Sequence, residues 1–332
     1  MVAIFKSDLT AAEVKTKARE LGADLVGIAD GRVMDAHPPD GDDPRRPSDI
    51  TAHDGGRCIV LAKRLNAGAA RIPRWDERHK YYNDELCLTL LEECSLELVY
   101  WLEDQGFPAL IVPPVHVEPR RYGGQPGEHL KPMLSLSHAA VEAGLGTLGL
   151  NLQLLTPELG PRVMLTAVLS SLPVEPDQRL GQALCHGPAC GRCLLSCPGD
   201  AVGHWQRDWP ACDRFRSPHG FKALSDHVVA IINEPDPGQQ AELIRSESTF
   251  DLWQSILRGA GVITGCRRCQ DVCPVGADAD GLLGDVLDEI AEATPEKEAR
   301  RATLAAAGPE PEAYQSQGRW IGTLEENRRG SK

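Results

Sequence analysis

The sequence lacks long apolar runs, including any at its N-terminus. No stretch approaches the about 18 uninterrupted apolar residues that a membrane-spanning helix needs. The N-terminus reaches its first charge after only a few apolar residues, which is too short for the apolar part of a secretory signal. We therefore predict a cytoplasmic protein with no membrane partner.

The sequence also lacks an excess of basic residues. It has 35 lysines and arginines against 48 aspartates and glutamates, which gives a net charge of −13. Because a phosphate backbone is bound through clustered Lys and Arg, this balance argues against nucleic acid as a partner. A hydrophobic fraction of 42% and a charged fraction of 25% are typical of globular proteins. The length of 332 residues predicts about two domains.

Helix and strand patterns alternate over residues 1–172. A capping box at Thr10 and Glu13 begins the first helix, and a long apolar periodicity predicts a second helix over residues 81–105. Apolar runs predict buried strands; they lie at residues 24–28, 58–62, 109–112, 152–155 and 162–169. A further helix is expected near residues 137–143. This alternation predicts an α/β fold class with a sheet domain over residues 1–172.

The chain changes character after Leu172, where prolines and then closely spaced cysteines follow. We predict a second domain over residues 173–285, which carries the cysteines and a helical insert near residues 221–232 and 248–257. Residues 286–332 are highly charged and then rich in Gly, Pro and Glu, and they are expected to form a tail that wraps the surface.

Seven of the 11 cysteines fall in two runs, and an eighth lies between the runs. They are Cys185, Cys190, Cys193 and Cys197 in the first run, Cys212, and Cys266, Cys269 and Cys273 in the second. Each run ends in Cys-x3-Cys-Pro, which is typical of ferredoxins with two 4Fe-4S clusters, where the last Cys of each run crosses to the other cluster. The pattern predicts one cluster on Cys185, Cys190, Cys193 and Cys273. It predicts the other on Cys197, Cys212, Cys266 and Cys269.

Two other metal sites fit parts of the same pattern. Paired Cys-x2-Cys motifs also bind structural zinc. The C-x4-C-x2-C spacing that starts at Cys185 also occurs in 2Fe-2S proteins, but it would leave Cys197 without a role. The three remaining cysteines, Cys58, Cys87 and Cys94, lie in apolar segments and are expected in the core of the first domain.

The segment Gly144-Leu-Gly146-Thr-Leu-Gly149 matches the GxGxxG pattern of dinucleotide-binding proteins. That pattern binds pyrophosphate only between a preceding strand and a following helix. Here the preceding residues are helical in pattern and the following ones resemble a strand. The segment is therefore expected to be a glycine turn that lets backbone approach a ligand or another strand.

The residues from Ala139 to Asn151, the segment Leu155–Arg162 and the two cysteine runs together resemble the cobalamin-dependent iron-sulfur reductases. This group includes reductive dehalogenases and epoxyqueuosine reductase. The resemblance implies a nitroreductase-like α/β domain that holds base-off cobalamin, followed by a ferredoxin-like domain with two 4Fe-4S clusters. The residues that it implies for cobalamin binding are Gly144, Leu145, Gly146, Gly149, Asn151, Thr156 and Pro157.

The main function that this resemblance implies is a reductase similar to reductive dehalogenases, which passes electrons through both clusters to cobalamin. Its partners would be a small organic substrate, an external low-potential donor such as a ferredoxin or flavodoxin, and a second copy in a homodimer. An acid must protonate the product, and Tyr122 beside Arg120 and Arg121 is one candidate. Glu128 is another, since Leu130 stands where epoxyqueuosine reductases place a catalytic Asp.

Three alternatives stay open. One is an iron-sulfur electron-transfer or activator protein that has no corrinoid of its own. Another is an enzyme similar to epoxyqueuosine reductase, although the chain length and the net charge of −13 argue against a tRNA substrate. The last is a zinc-bound structural module, which metal analysis would distinguish from the other two.

Overall fold

The computed structural model describes residues 8–113, 123–126, 131–258, 265–307 and 312–322, with side chains in the last segment from residue 317. This part of the chain has a mixed α/β fold with a small antiparallel sheet and many helices. The predicted α/β class is therefore confirmed at this level. No helix within the described segments is long and apolar enough to cross a membrane.

The strands form a four-stranded sheet and a two-stranded one. In chain order they are β1 (Leu25–Asp30), β2 (Arg57–Arg64), β3 (Ala109–Val112), β4 (Thr147–Leu148), β5 (Leu154–Leu155) and β6 (Val163–Ser170). The larger sheet has the order β1-β2-β6-β3, and every neighbouring pair is antiparallel. Strands β4 and β5 pair separately, on either side of a tight turn.

The larger sheet is covered on both faces, which is why β2, one of its two interior strands, is apolar without interruption from Cys58 to Ala62. In β2, Cys58, Val60 and Ala62 pack into one core, whereas Ile59 and Leu61 pack into the core on the opposite face. All five side chains are completely buried. This matches the period of two that a strand imposes on its side chains.

Helices cover both faces of this sheet and build the rest of the described chain. In chain order they are α1 (Ala11–Glu20), α2 (Gly31–Ala36), α3 (Pro47–Ile50), α4 (Ala67–Ala70), α5 (Arg78–Asp104), α6 (Leu136–Glu142), α7 (Gly187–Cys190), α8 (Arg192–Leu195), α9 (Trp209–Arg216), α10 (Phe221–Asn233), α11 (Pro237–Ile244), α12 (Glu247–Arg258), α13 (Arg268–Asp271), α14 (Pro295–Ala306) and α15 (Glu312–Ile321). A π-helical turn spans Ala279–Leu283. Helices α1 and α5 pack on one face of the sheet, and α6 packs on the other.

Several elements agree with the sequence predictions. The predicted capping box begins α1, with Thr10 accepting from the Glu13 N–H and the Glu13 carboxylate accepting from the Thr10 N–H. Helices α5, α6, α10 and α12 lie within a few residues of their predicted bounds. The short helices α2, α3, α4 and α11 were not predicted, because one or two turns are too short to show a helical period.

The C-terminal segment differs from the predicted surface tail. Trp320 and Ile321, at the end of α15, are buried in the same apolar core as Leu148 and Ala140. That core also contains residues from beyond residue 172, such as Trp205. One apolar core thus contains residues from all three predicted parts of the chain, and the predicted domain limits stay a prediction.

Candidate functional site

The first cysteine run lies on two short helices that follow the sheet. Cys185 precedes α7, Cys190 is the last residue of α7, and Cys193 lies on α8. Gly191 joins the two helices with a φ of 55°, a left-handed conformation that glycine adopts at little cost. This sharp turn makes three thiols project from one short loop, as a cluster corner requires.

The other cysteines come from three separate places in the chain. Cys197 follows α8, Cys212 lies on α9, and Cys266 precedes the α13 segment that contains Cys269. Cys273 comes directly after α13. The seven cysteines of the two runs and Cys212 form no disulfide and are partly buried, whereas Cys58 and Cys94 are buried in the sheet cores.

The thiols of the first predicted cluster lie close enough to affect one another. Burial raises the pKa of the Cys193 thiol well above its usual value, and Cys269, Cys185, Cys273 and Cys190 raise it further. Burial also raises the pKa of Cys273 to about 12, and Cys185 and Cys190 act in the same direction. Cys193 thus lies near the other three predicted ligands of its cluster and also near Cys269 of the second group.

The thiols of the second predicted cluster surround a cavity of about 80 Å³. Its wall includes all four predicted ligands, which are Cys197, Cys212, Cys266 and Cys269. Burial raises the pKa of Cys266, and the neighbouring thiols of Cys269, Cys197 and Cys212 raise it further. A water molecule needs about 10–15 Å³ of such space, so the cavity can hold a group of several atoms.

Backbone N–H groups already point at the sulfur atoms of both groups. The Cys185 Sγ accepts from the N–H of Leu150 at 3.3 Å and from the N–H of Gly187 at 3.4 Å. The Cys197 Sγ accepts from the N–H of Ala201 at 3.2 Å. Such N–H···S bonds stabilise negative charge on sulfur, as clusters ligated by thiolates require.

These observations test whether the residues fit two iron-sulfur clusters. In the described part of the chain, no three Cys, His, Asp or Glu side chains converge tightly enough for a single metal ion. The second thiol group instead surrounds a cavity, as a cluster of several atoms requires. The Arg207 Nε is buried beside that cavity without a hydrogen-bond partner, which favours an anionic occupant. The residues fit the clusters.

Two predicted cobalamin-binding glycines lie where backbone approaches backbone. Gly144 has a φ of 73°, and a Cβ atom added there would lie 2.5 Å from the carbonyl oxygen of Gln178. A Cβ on Gly146 would lie 1.9 Å from the carbonyl oxygen of Leu155. Leu145, between them, packs against the core. The glycines therefore allow close packing of β4 on β5 and of the turn on a later segment.

The remaining residues of this segment contact each other or the cysteine loops. The N–H of Gly149 donates to the Gln153 carbonyl at 2.8 Å. The side-chain amide of Asn151 donates to the Cys269 carbonyl at 3.2 Å, and the Pro157 carbonyl accepts from the Ala277 N–H at 3.0 Å.

Thr156 also has protein partners. Its N–H donates to the Gly160 carbonyl at 3.0 Å, and its hydroxyl accepts from the Leu159 N–H at 3.0 Å. The described polar groups of the segment thus fit the cysteine loops and offer no unsatisfied group that fits a corrinoid. The assignment of these residues to cobalamin stays a prediction.

Arg162 ties the sheet to the second cysteine run, and its side chain is only 1% exposed. Its guanidinium makes two bonds to the Asp278 carboxylate, at 2.7 and 2.6 Å. It also donates to the carbonyls of Cys273 and Val275, both at 2.7 Å. The sequence marked Arg162 only as part of the resemblance, and its role comes from these contacts.

A buried charge network, which the sequence analysis missed, joins α5 to the second cysteine run. The Lys80 Nζ lies 2.7 Å from Asp271 Oδ2, and the Arg267 Nη1 lies 2.6 Å from Asp84 Oδ1. Burial raises the pKa of Asp84 to about 7, whereas Arg267 lowers it. Lys80 and Asp84 are four residues apart on α5, and this spacing on one helix face was the available signal.

The predicted proton donors lie outside the described residues. This applies to Tyr122 with its neighbours Arg120 and Arg121, and to Glu128. Their catalytic roles therefore stay predictions. The nearby His138 is described: its Nδ1 lies 2.6 Å from Ser135 Oγ. Burial lowers the pKa of His138 to about 4, so this imidazole is neutral at physiological pH.

Comparison with known proteins gives one curated relative. The chain is 26% identical over 308 residues to an epoxyqueuosine reductase of Gloeobacter violaceus, and the match covers 84% of this chain and 81% of the relative. The predicted resemblance is thereby confirmed. The similarity to a named reductase also confirms the prediction of an oxidoreductase. No protein-family model matches the sequence.

Solved structures of two similar kinds of protein also align with the chain. The catabolic reductive dehalogenase NpRdhA, in complex with 3-bromo-4-hydroxybenzoic acid, aligns with a TM-score of 0.49 at 16% identity, over 93% of this chain and 37% of that one. An epoxyqueuosine reductase with a tRNA stem loop aligns with a TM-score of 0.41 at 18% identity, over 61% of this chain and 55% of that one. The chain thus spans about a third to a half of these two proteins.

Two predictions change with these comparisons. The prediction that nucleic acid is not a partner is contradicted by the curated relative, because it is an epoxyqueuosine reductase, a kind of enzyme whose solved structures include one with a tRNA stem loop. Net charge sums the whole surface, whereas binding to a phosphate backbone depends on local clusters of Lys and Arg. The main predicted function, similar to reductive dehalogenases, is not singled out, and the epoxyqueuosine reductase alternative agrees better with the curated relative.

Proposed function

We propose that this chain is an iron-sulfur reductase of the epoxyqueuosine reductase type, with two 4Fe-4S clusters. The observation that carries the proposal is the grouping of the eight thiols. Cys197, Cys212, Cys266 and Cys269 line one cavity, and Cys193 and Cys273 of the other four are close enough to neighbouring thiols for their pKa to be raised. This grouping agrees with the crossed ligand scheme of two-cluster ferredoxins.

The proposal divides the chain into a nitroreductase-like domain over residues 1–172 and a ferredoxin-like domain over residues 173–285. Arg162 supports this division of roles, because it extends from the sheet and holds the carbonyls of Cys273 and Val275. The N–H of Leu150, also in the sheet domain, donates to the Cys185 Sγ at 3.3 Å. The sheet domain would therefore fix the position of the first cluster relative to the substrate site.

The substrate class follows from the name of the curated relative. Reductive removal of an epoxide oxygen as water takes up two electrons and two protons. Each 4Fe-4S cluster transfers one electron at a time, so a chain with two clusters can store the two electrons that one turnover consumes. Cobalamin supplies nucleophilic or radical chemistry when it is bound to a reductase. Cobalt analysis tests whether this protein binds it.

Cluster assembly is the first test of the proposal. Protein that is purified and reconstituted without oxygen should contain about eight iron atoms and as many sulfides per chain. Cys193→Ala and Cys266→Ala should each lose about half of this iron, because each removes a ligand of a different cluster. Cys94→Ala is the matched control, since Cys94 is buried away from both groups and donates to the Ala18 carbonyl. Zinc in place of iron would refute the proposal.

Substrate turnover is the second test. The reconstituted protein, with cobalamin and dithionite, should remove one oxygen atom from epoxyqueuosine in a tRNA stem loop, measured by mass spectrometry of the released nucleosides. A halogenated phenol serves as the comparison substrate. Turnover of the phenol but not of the tRNA would support the dehalogenase interpretation instead. Full iron content without turnover of either substrate would favour an electron-transfer or activator protein.

A further inference from the structure

Arg207 stands in the wall of the cavity that the second thiol group surrounds. Its Nη2 lies 3.5 Å from the Cys269 Sγ, and its guanidinium carbon lies 5.0 Å from the centre of the Trp209 ring. Its Nε is buried and has no hydrogen-bond partner. Among the described residues no carboxylate pairs with this guanidinium. Arg207 therefore contributes a positive charge that the protein itself does not neutralise.

The other arginines of the same cavity differ from Arg207 in this respect. The Arg216 Nη2 lies 2.8 Å from Asp213 Oδ1, and the Arg267 Nη1 lies 2.6 Å from Asp84 Oδ1. Each of these two cations therefore has a carboxylate within hydrogen-bond distance. Of the three arginines in this wall, only Arg207 has no carboxylate partner among the described residues.

The first thiol group lies beside other arginines. Arg162 donates to the Cys273 carbonyl at 2.7 Å and is paired with Asp278 at 2.6 Å. Arg192, next to Cys193, donates to the Val272 carbonyl at 2.9 Å, and its Nη2 is buried without a hydrogen-bond partner. Arg207 belongs to the second group instead, since its Nη2 lies 3.5 Å from the Cys269 Sγ in the wall of that cavity.

We propose that Arg207 raises the reduction potential of the cluster on Cys197, Cys212, Cys266 and Cys269. The inference rests on the proposed function, because it requires a cluster at this thiol group. Reduction adds one electron to a cluster and neither forms nor breaks a bond. The reduced cluster carries one more negative charge, so an unpaired cation beside it stabilises the reduced form. Loss of the Arg207 charge should therefore lower the potential of this cluster and leave that of the other cluster largely unchanged.

The test measures the midpoint potentials of both clusters in the full-length, reconstituted protein. Dithionite supplies the electrons, and electron paramagnetic resonance detects each reduced cluster as the potential is lowered. In Arg207→Gln, the ratio of reduced to oxidised form of one cluster at a fixed potential should fall at least tenfold, which equals about 59 mV for one electron, whereas the ratio for the other cluster should change little.

Two further variants separate charge from structure. Arg207→Lys keeps the positive charge and should retain most of the wild-type potential, because the ammonium can occupy the same wall. Arg216→Gln removes a cation that is already paired with Asp213, so its shift should be much smaller than that of Arg207→Gln. Equal shifts in Arg207→Lys and Arg207→Gln would overturn the inference, as would an equal shift in Arg216→Gln.

Iron content separates this inference from the proposed function. Wild-type protein with well under eight iron atoms per chain would overturn both, since the clusters would then be absent. Full iron content in the wild type and in Arg207→Gln, with unchanged midpoint potentials, would overturn only the role of Arg207. Full iron content with the expected shift supports the role of Arg207 whether or not the tRNA substrate is turned over, whereas the proposed reductase also requires that turnover.

Discussion

Replacing Arg162 with methionine should be among the most destabilising single substitutions outside the apolar cores. The side chain is almost completely buried, and it connects the strand β6 region to the loop after Cys273. Methionine has a similar length and keeps much of the apolar packing, so the substitution removes mainly the charge and its hydrogen bonds. Asp278 then stays behind without its partner.

The magnitude follows from the contacts of Arg162. Removing one partner of a buried ion pair costs about 3–5 kcal/mol, because the other charge stays buried and uncompensated. The bonds to the carbonyls of Cys273 and Val275 are also lost, although such contributions do not add fully to the ion pair. We expect a loss of about 3–5 kcal/mol, a large part of the about 5–15 kcal/mol that typically stabilises a domain.

Urea unfolding of the full chain, followed by circular dichroism, measures this loss together with iron content. Asp278→Leu should cost a similar amount, and the double variant Arg162→Met/Asp278→Leu should cost less than the sum, since it leaves no unpaired charge. Asp285→Asn is the control, because its pair with Arg71 is exposed and should matter far less. A cost under about 1 kcal/mol for Arg162→Met would refute the reasoning from buried ion pairs.

Three further predictions concern other parts of the fold. Burial raises the folded-state pKa of Asp84 to about 7, so its contribution to stability is present below pH 4 and lost as the pH rises toward 7. In Asp84→Asn the free energy of unfolding in urea should depend less on pH, and an unchanged dependence would contradict the prediction. Gly146→Ala places a Cβ against backbone and should lower both the unfolding midpoint and the iron content, whereas Gly41→Ala, in open space, should change neither. The Glu142 carboxylate accepts two hydrogen bonds from Arg319, at 2.6 and 2.9 Å. Glu142→Gln should therefore lower the free energy of unfolding by about 1.5–3 kcal/mol and speed proteolysis of the C-terminal helix. An unchanged rate of cleavage would contradict this prediction.

The fold was predictable where local patterns are strong. The capping box at Thr10, the apolar run at β2 and the long period of α5 each depend on residues close together in the sequence, and the structure has all three elements. The antiparallel order β1-β2-β6-β3 was not predictable, because its central pair, β2 and β6, joins strands that are about 100 residues apart in the sequence. The same limit applies to the C-terminal helix, whose end packs into the core despite a charged, tail-like sequence.

The candidate site shows the same division. Cysteine spacing alone predicted which four thiols belong together, because a cluster constrains its ligands locally and the Cys-Pro ending marks the residue that crosses over. The roles of Arg162, Lys80 and Asp84 required the fold, since each acts on a partner more than 100 residues away. No local pattern reports such a distant pairing.

By itself, the sequence determined the ferredoxin-like spacing of eight cysteines and the similarity of the chain to an epoxyqueuosine reductase. Only the tertiary structure decided the electrostatics around that chemistry. Whether Arg207, Arg216 and Arg267 present a free or a paired charge to the second thiol group depends on which carboxylates fold beside them. The physical reason is that Coulomb interactions depend on distance in space and on burial, and neither is encoded in the spacing of residues along the chain.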